Sequence, residues 1–181
     1  MADGNTKTRK DARVTCTRRL QFCSGHRVMG HENKCAHMHG HNYVVMLTAA
    51  PTANLDSIGR VVDFSVLKQE IGEWIDTHWD HRFIIHRDDG AAAQALRCFS
   101  MARHDQEDQD RVDMSPHGES RYQKVYALDC NPTAENMAKH LLEEIVPCRL
   151  DKYGVELVRV TLWETENCCA TACLPGWEGG P

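Results

Sequence analysis

KCAHMHGHNYVVMLTA, residues 34–49, holds the readings on which both fold and chemistry turn. Its second half, HNYVVMLTA (41–49), is rich in β-branched and aromatic residues and reads as a strand. Its first half puts Cys35, His37, His39 and His41 within seven positions. If the chain is extended through His39-Gly40-His41, residues i and i+2 project to the same face. Two imidazoles, the commonest metal ligands near neutral pH, then converge, and Gly40 leaves room for close approach.

Upstream, VTCTRRLQF (14–22) alternates, with Val14, Cys16, Leu20 and Phe22 on one side and Arg18 breaking the pattern. Pairing this strand with 41–49 as a hairpin brings His26, just beyond the first strand, beside the HGH motif. Three histidines without a fourth protein ligand describe a catalytic zinc site with an open position. Two other readings stay open. An HxH pair also arises by chance on an exposed strand. Alternatively, Cys23-x-x-His26 and Cys35-x-x-x-His39 supply four N/S ligands for a closed structural zinc, in a binding module that need not be an enzyme.

Downstream, Pro51 and Asn54 punctuate the chain, and Asp63 reads as a helix N-cap. Phe64, Leu67, Ile71, Trp74 and Ile75 recur at helical spacing, so 64–77 reads as an amphipathic helix with Phe64 and Trp74 in the core. Residues 86–124 are polar and irregular, with a short helix around 91–103, and read as an exposed excursion. Asn131-Pro132 reads as the cap and first residue of a second helix, with Met137, Ala138, Leu141, Leu142 and Ile145 as its apolar face and Pro147 as its stop. VELVRVTLW (155–163) alternates as a strand, and 168–174 reads as a last one. The expected fold is therefore α+β: an antiparallel four-stranded sheet carrying two helices on one face. Residues 1–12 read as a loose leader and 13–181 as a single domain containing the 86–124 insert.

Composition narrows the class. The chain has 181 residues, 41% hydrophobic and 26% charged, and a net charge of −5. That balance gives no general attraction to nucleic acid or to anionic membranes. No apolar run approaches the roughly 20 residues of a membrane span, and the polar N-terminus lacks a secretory signal. Nine cysteines form an odd count with Cys168 and Cys169 adjacent, which suits free thiols in a reducing cytoplasm. Eleven histidines are present, five of them between 26 and 41; this density favours a metal.

With His26, His39 and His41 on zinc, Cys35 is left beside a cation that favours its thiolate. The bland alternative is a small buried hydrophobe. Asp80 can orient His81 as a general acid, although a DH dipeptide alone reads as a solvated loop. Glu164, at the end of an apolar strand, is either a pocket carboxylate or a surface residue.

Six segments in order resemble one family: FCSGHR, CAHMHGHNY, VVDFSVLK, WDHRF, NPTAEN and LWET, spanning roughly 14–170. They are similar to the 6-pyruvoyltetrahydropterin synthase / 6-carboxytetrahydropterin synthase family. The resemblance implies the tunnelling fold, in which sheets join into a trimeric barrel and two trimers stack as a hexamer, with active sites between subunits. It also implies that His26, His39 and His41 hold Zn2+, that Cys35 is the base, and that Asp80 and His81 are its proton-relay partners. Glu164 then grips the pterin ring, with Thr133 and Glu135 near the pterin pocket. Cys35 lies four residues before His39, a spacing that resembles the bacterial 6-carboxytetrahydropterin synthases of the queuosine pathway. The implied reaction converts 7,8-dihydroneopterin triphosphate to 6-carboxy-5,6,7,8-tetrahydropterin, acetaldehyde and triphosphate. The alternative is the 6-pyruvoyl synthase reaction. Arg27, Lys34 and Arg82 are candidates for the triphosphate by proximity in sequence. Expected partners are the small pterin substrate and further copies of the chain, with no nucleic acid and no membrane.

Overall fold

The computed structural model describes residues 13–101 and 124–177. Strand β1 (Cys16–His26) and strand β2 (His39–Pro51) form the expected antiparallel hairpin. Its register pairs Phe22 with Tyr43, Ser24 with His41 and His26 with His39. His26 is thus the last residue of β1, not a residue beyond it.

The sheet has six strands, not four, in the order β4-β3-β1-β2-β5-β6. Strand β5 (Val155–Thr165) and strand β6 (Cys168–Cys173) extend the antiparallel side. Strand β3 (Arg82–His86) and strand β4 (Val125–Leu128) were not foreseen, and they pair in parallel, β3 with β1 and β4 with β3. The sheet is therefore mixed. Connections long enough to carry a helix permit such parallel pairs.

The first helical run consists of α1 (Phe64–Leu67), a π-helical segment (Lys68–Gly72) and α2 (Glu73–His78). Asp63 caps it as expected, accepting from the Ser65 N–H. Trp74 is buried, but Phe64 is 52% exposed, so its expected place in the core is wrong. The second run is α4 (Ala134–His140) followed by a π segment (Leu141–Ile145). Its cap is Thr133, whose side chain accepts from the Asn136 N–H. Pro147 does not stop the chain's helical path; it opens the short α5 (Pro147–Leu150), where a missing N–H costs nothing.

These two runs cover one face. Phe22, Tyr43, Val45, Leu47, Val160 and Leu162 from the sheet pack with Leu67, Ile71, Met137 and Leu141 in a single cluster. A further helix, α3 (Gly90–Met101), lies against the opposite side of β3. There Ile85, Ala92, Leu96 and Val125 form a second cluster with Met38 and Phe83 packed on it. The segment 86–124 therefore contributes a regular helix at its start, while 102–123 lie outside the described residues. No helix among the described residues is long and apolar enough to cross a membrane.

Candidate active site and metal centre

Strand alternation places Ser24, His26, His39 and His41 at one end of the helix-covered face, next to the Phe22–Tyr43 stack. The ring centroid of His26 lies 4.4 Å from that of His39 and 5.1 Å from that of His41. One ligand atom from each of the three lies within 4.8 Å of the others.

Hydrogen bonds set which nitrogen each ring offers. His26 Nδ1 lies 2.7 Å from the Pro132 carbonyl and His39 Nδ1 lies 2.8 Å from the His37 carbonyl. A carbonyl only accepts, so both Nδ1 atoms carry the proton and both Nε2 atoms keep a lone pair. The Nε2 atoms of His26 and His41 are buried with no hydrogen-bond partner. Three converging imidazoles, two of them with buried and unpartnered Nε2 atoms, fit a divalent cation, and Nδ1–H to carbonyl contacts are the usual outer support of such ligands. His26 is only 2% exposed, and this burial, reinforced by the two neighbouring imidazoles, lowers its pKa to about 4 against the opposing Pro132 carbonyl. Burial, then His39, also pushes His41 down. Both rings are thereby kept neutral and able to ligate.

The motif glycines are demanded by close approach. A Cβ on Gly40 would lie 2.8 Å from the Ser24 carbonyl oxygen, and one on Gly25 would lie 2.5 Å from the Phe83 ring. The Gly40 contact is with backbone and cannot rotate away. Gly40→Ala is expected to lower stability by about 1–3 kcal/mol and to reduce bound metal. Thermal unfolding and metal stoichiometry measure the two effects.

A cavity of about 280 Å³ opens beside the triad, lined by His26, His31, Cys35, Thr133, Glu135 and Glu164, among others. The structure thus brings Cys35, Glu164, Thr133 and Glu135 together with the histidine triad. Glu164 Oε1 lies 4.0 Å from His26 Nε2. Burial, then the nearby Glu135 carboxylate, raises the Glu164 pKa, while His39 opposes the rise. Cys35 sits half-buried in a 3-10 turn (Lys34–Ala36), and its carbonyl accepts from the Val28 N–H at 2.7 Å.

Other candidates fall elsewhere. Asp80 and His81 hydrogen-bond each other at 2.7 Å, and both are clamped to the Cys23 backbone: Asp80 Oδ1 accepts its N–H, and the His81 N–H donates to its carbonyl. His81 is 80% exposed and has φ 54°, the left-handed region, where non-glycine residues are held at a cost. Neither residue is among those lining the cavity. Cys23 faces away from the triad, with its thiol donating to Asn42 Oδ1, so the Cys23, His26, Cys35 and His39 set does not converge. Arg27 is taken up by buried Asp89 at 2.6 Å, Arg82 is 5% exposed, and Lys34 lies exposed next to Cys35.

Two contributors were missed. The Pro132 carbonyl that fixes His26 has no sequence signature. His31 lines the cavity, and the local histidine density was its signal.

Residues 15–173 match the family model described as 6-pyruvoyl tetrahydropterin synthase. The chain belongs to this family. The 6-carboxy-5,6,7,8-tetrahydropterin synthase of Rickettsia bellii is 37% identical over 155 residues, covering 86% of this chain and 96% of that protein. A solved structure of an uncharacterized protein from Wolinella succinogenes is 28% identical, with a TM-score of 0.68 over 88% of this chain and 97% of that one. The 6-pyruvoyl tetrahydropterin synthase of Caenorhabditis elegans, at 22% identity and a TM-score of 0.52, covers 88% of this chain and 94% of its own and shares the fold.

Proposed function

We propose that the chain is a zinc-dependent 6-carboxytetrahydropterin synthase. It is a lyase acting on a pterin triphosphate, 7,8-dihydroneopterin triphosphate, and it forms 6-carboxy-5,6,7,8-tetrahydropterin, acetaldehyde and triphosphate. The observation that carries this is one cavity that joins a free thiol and a desolvated carboxylate to His26 of the triad, where the Nε2 atoms of His26 and His41 are buried without a hydrogen-bond partner. The names of the curated relatives and the Cys35-to-His39 spacing favour the carboxy product over the 6-pyruvoyl one.

His26, His39 and His41 hold the Zn2+, which when bound supplies Lewis acidity to the hydroxyls of the substrate side chain. Cys35 takes a proton from that side chain. Glu164 accepts from the amino and ring N–H groups of the pterin, a bidentate edge that fixes the side chain toward Cys35. Thr133 and Glu135 flank the same wall.

His81, oriented by Asp80, returns a proton. Because the dyad is exposed and lies outside the cavity of its own chain, a neighbouring copy delivers it, in a trimer or a hexamer of stacked trimers. The exposed, pre-set geometry of His81 is what such an arrangement requires. Nine free cysteines suit a reducing cytoplasm, and the carboxy product places the reaction in queuosine-type deazapurine precursor synthesis. A closed structural zinc on Cys23, His26, Cys35 and His39 is disfavoured because Cys23 sits on the other face of β1.

Incubating zinc-loaded protein with 7,8-dihydroneopterin triphosphate tests the reading. Acetaldehyde and triphosphate are expected. Triphosphate with a 6-pyruvoyl product instead would move the chain to the sister activity, and no turnover would remove the substrate assignment.

A further inference from the structure

The histidines of this region divide by what their Nδ1 atoms meet. His26 and His39 donate Nδ1–H to carbonyls and so expose a bare Nε2. His31 is the reverse: its Nδ1 accepts from the Asn33 backbone N–H at 2.9 Å. A neutral imidazole with Nδ1 as acceptor carries its proton on Nε2. His31 is therefore set as a donor where His26 and His39 are set with a bare Nε2. It is 30% exposed and lines the same cavity as Cys35 and Glu164.

The loop that carries His31 is fixed at several points. The Val28 N–H donates to the Cys35 carbonyl at 2.7 Å and the His31 N–H to the Val28 carbonyl at 3.3 Å. Asn131 clamps Met29 from both sides, its Oδ1 accepting and its Nδ2 donating, each at 2.9 Å. His31 and Cys35 are thus held in a set relation on either side of one short loop. The carboxylates of Glu164 and Glu135 and the Cys35 thiolate are acceptors once ionised, so a nitrogen donor in the cavity complements them.

Forming a 6-carboxy rather than a 6-pyruvoyl product adds one water and breaks one carbon–carbon bond. Water adds to the side-chain carbonyl next to the ring, and that carbon becomes the carboxylic acid. The two-carbon fragment keeps the bonding electron pair, takes one hydrogen of the added water as a proton, and leaves as acetaldehyde. Negative charge builds on the side-chain oxygen as water adds.

We propose that His31 is a further catalytic residue, whose Nε2–H donates to that oxygen as water adds, ahead of carbon–carbon cleavage. The inference rests on the carboxy-forming reading above. An N–H donor already in place, in a partly buried cavity, lowers the barrier without itself giving up a proton.

The test uses full-length zinc-loaded protein with 7,8-dihydroneopterin triphosphate, following acetaldehyde and 6-pyruvoyl product separately. His31→Leu is expected to lower kcat for acetaldehyde about 10- to 100-fold with KM changed by less than about twofold. Zinc content and melting temperature stay at the wild-type values, and 6-pyruvoyl product accumulates. His31→Gln, which keeps an N–H donor, recovers part of the rate. His31→Phe, which keeps a ring without the donor, decides the matter should the leucine variant fail to fold. Wild-type acetaldehyde production in the non-donor variants, or a change in KM alone, overturns the role of His31 and leaves the carboxy-forming reading intact. Absence of acetaldehyde from the wild-type protein overturns both.

Discussion

Replacing Cys35 with alanine is expected to lower turnover by about 10²- to 10⁴-fold, the range for loss of a positioned acid–base group, with zinc content and melting temperature unchanged. The separation follows from how Cys35 is held. Its position comes from the 3-10 turn Lys34–Ala36 and from its own carbonyl, which accepts from Val28. Alanine keeps both of these and removes only the thiol. The proposed metal ligands are other residues, and the Pro132 and His37 carbonyls orient two of them, His26 and His39. Steady-state acetaldehyde release, bound zinc and a thermal melt on one preparation read all three quantities. If zinc is lost together with activity, Cys35 is a ligand and the four-residue structural site returns. If activity persists, the base lies elsewhere in the cavity.

The hairpin was legible because its alternation is clean and its register follows from pairing the two strands. That register alone carries His26 to His39. Strands β3 and β4 were not legible for a physical reason. Ile84 belongs to the main core and Ile85 to the second cluster beneath α3, so β3 is buried on both faces and shows no period-two pattern. With only five residues it offers little else to read. The Asn131-Pro132 signal was misread because the site has claimed it. The Asn131 side chain serves Met29, and the Pro132 carbonyl serves His26, leaving Thr133 to cap α4.

The candidate site divides in the same way. Glu164 follows from the pairing of β5 with β2, which sets Trp163 opposite Val44 and brings the strand end to the triad. Asp80 and His81 were legible as a pair, and they do hydrogen-bond. Their separation from the Cys35 cavity could not be read from local pattern, because it depends on where β3 docks against β1. His31 needed the Asn33 backbone contact to distinguish it from the histidines of the triad, and the direction of such a contact is invisible in residue types.

Acidifying the metal-free protein from pH 6.5 toward pH 4 is expected to cost up to about 3 kcal/mol of stability through His26. The ring is 2% exposed, and its burial moves it from the ordinary 6.5 down to about 4. Within that window the unfolded chain binds a proton that the folded chain refuses. Stability contributed by neutral His26 is therefore complete above pH 6.5, falls as the pH drops, and levels off below about 4. His41, also lowered, adds in the same direction. On the proposed zinc reading, added zinc is expected to oppose the loss near neutrality by binding the folded state through the same Nε2 atoms, and to be released as protons compete for them. Urea melts at intervals between pH 7.5 and 4, with and without zinc, measure both effects. His26→Gln should flatten the metal-free slope and abolish the zinc-dependent gain. An unchanged slope in that variant would mean that other groups govern acid stability, and that the buried imidazole is protonated in the folded chain at the same pH as in the unfolded one.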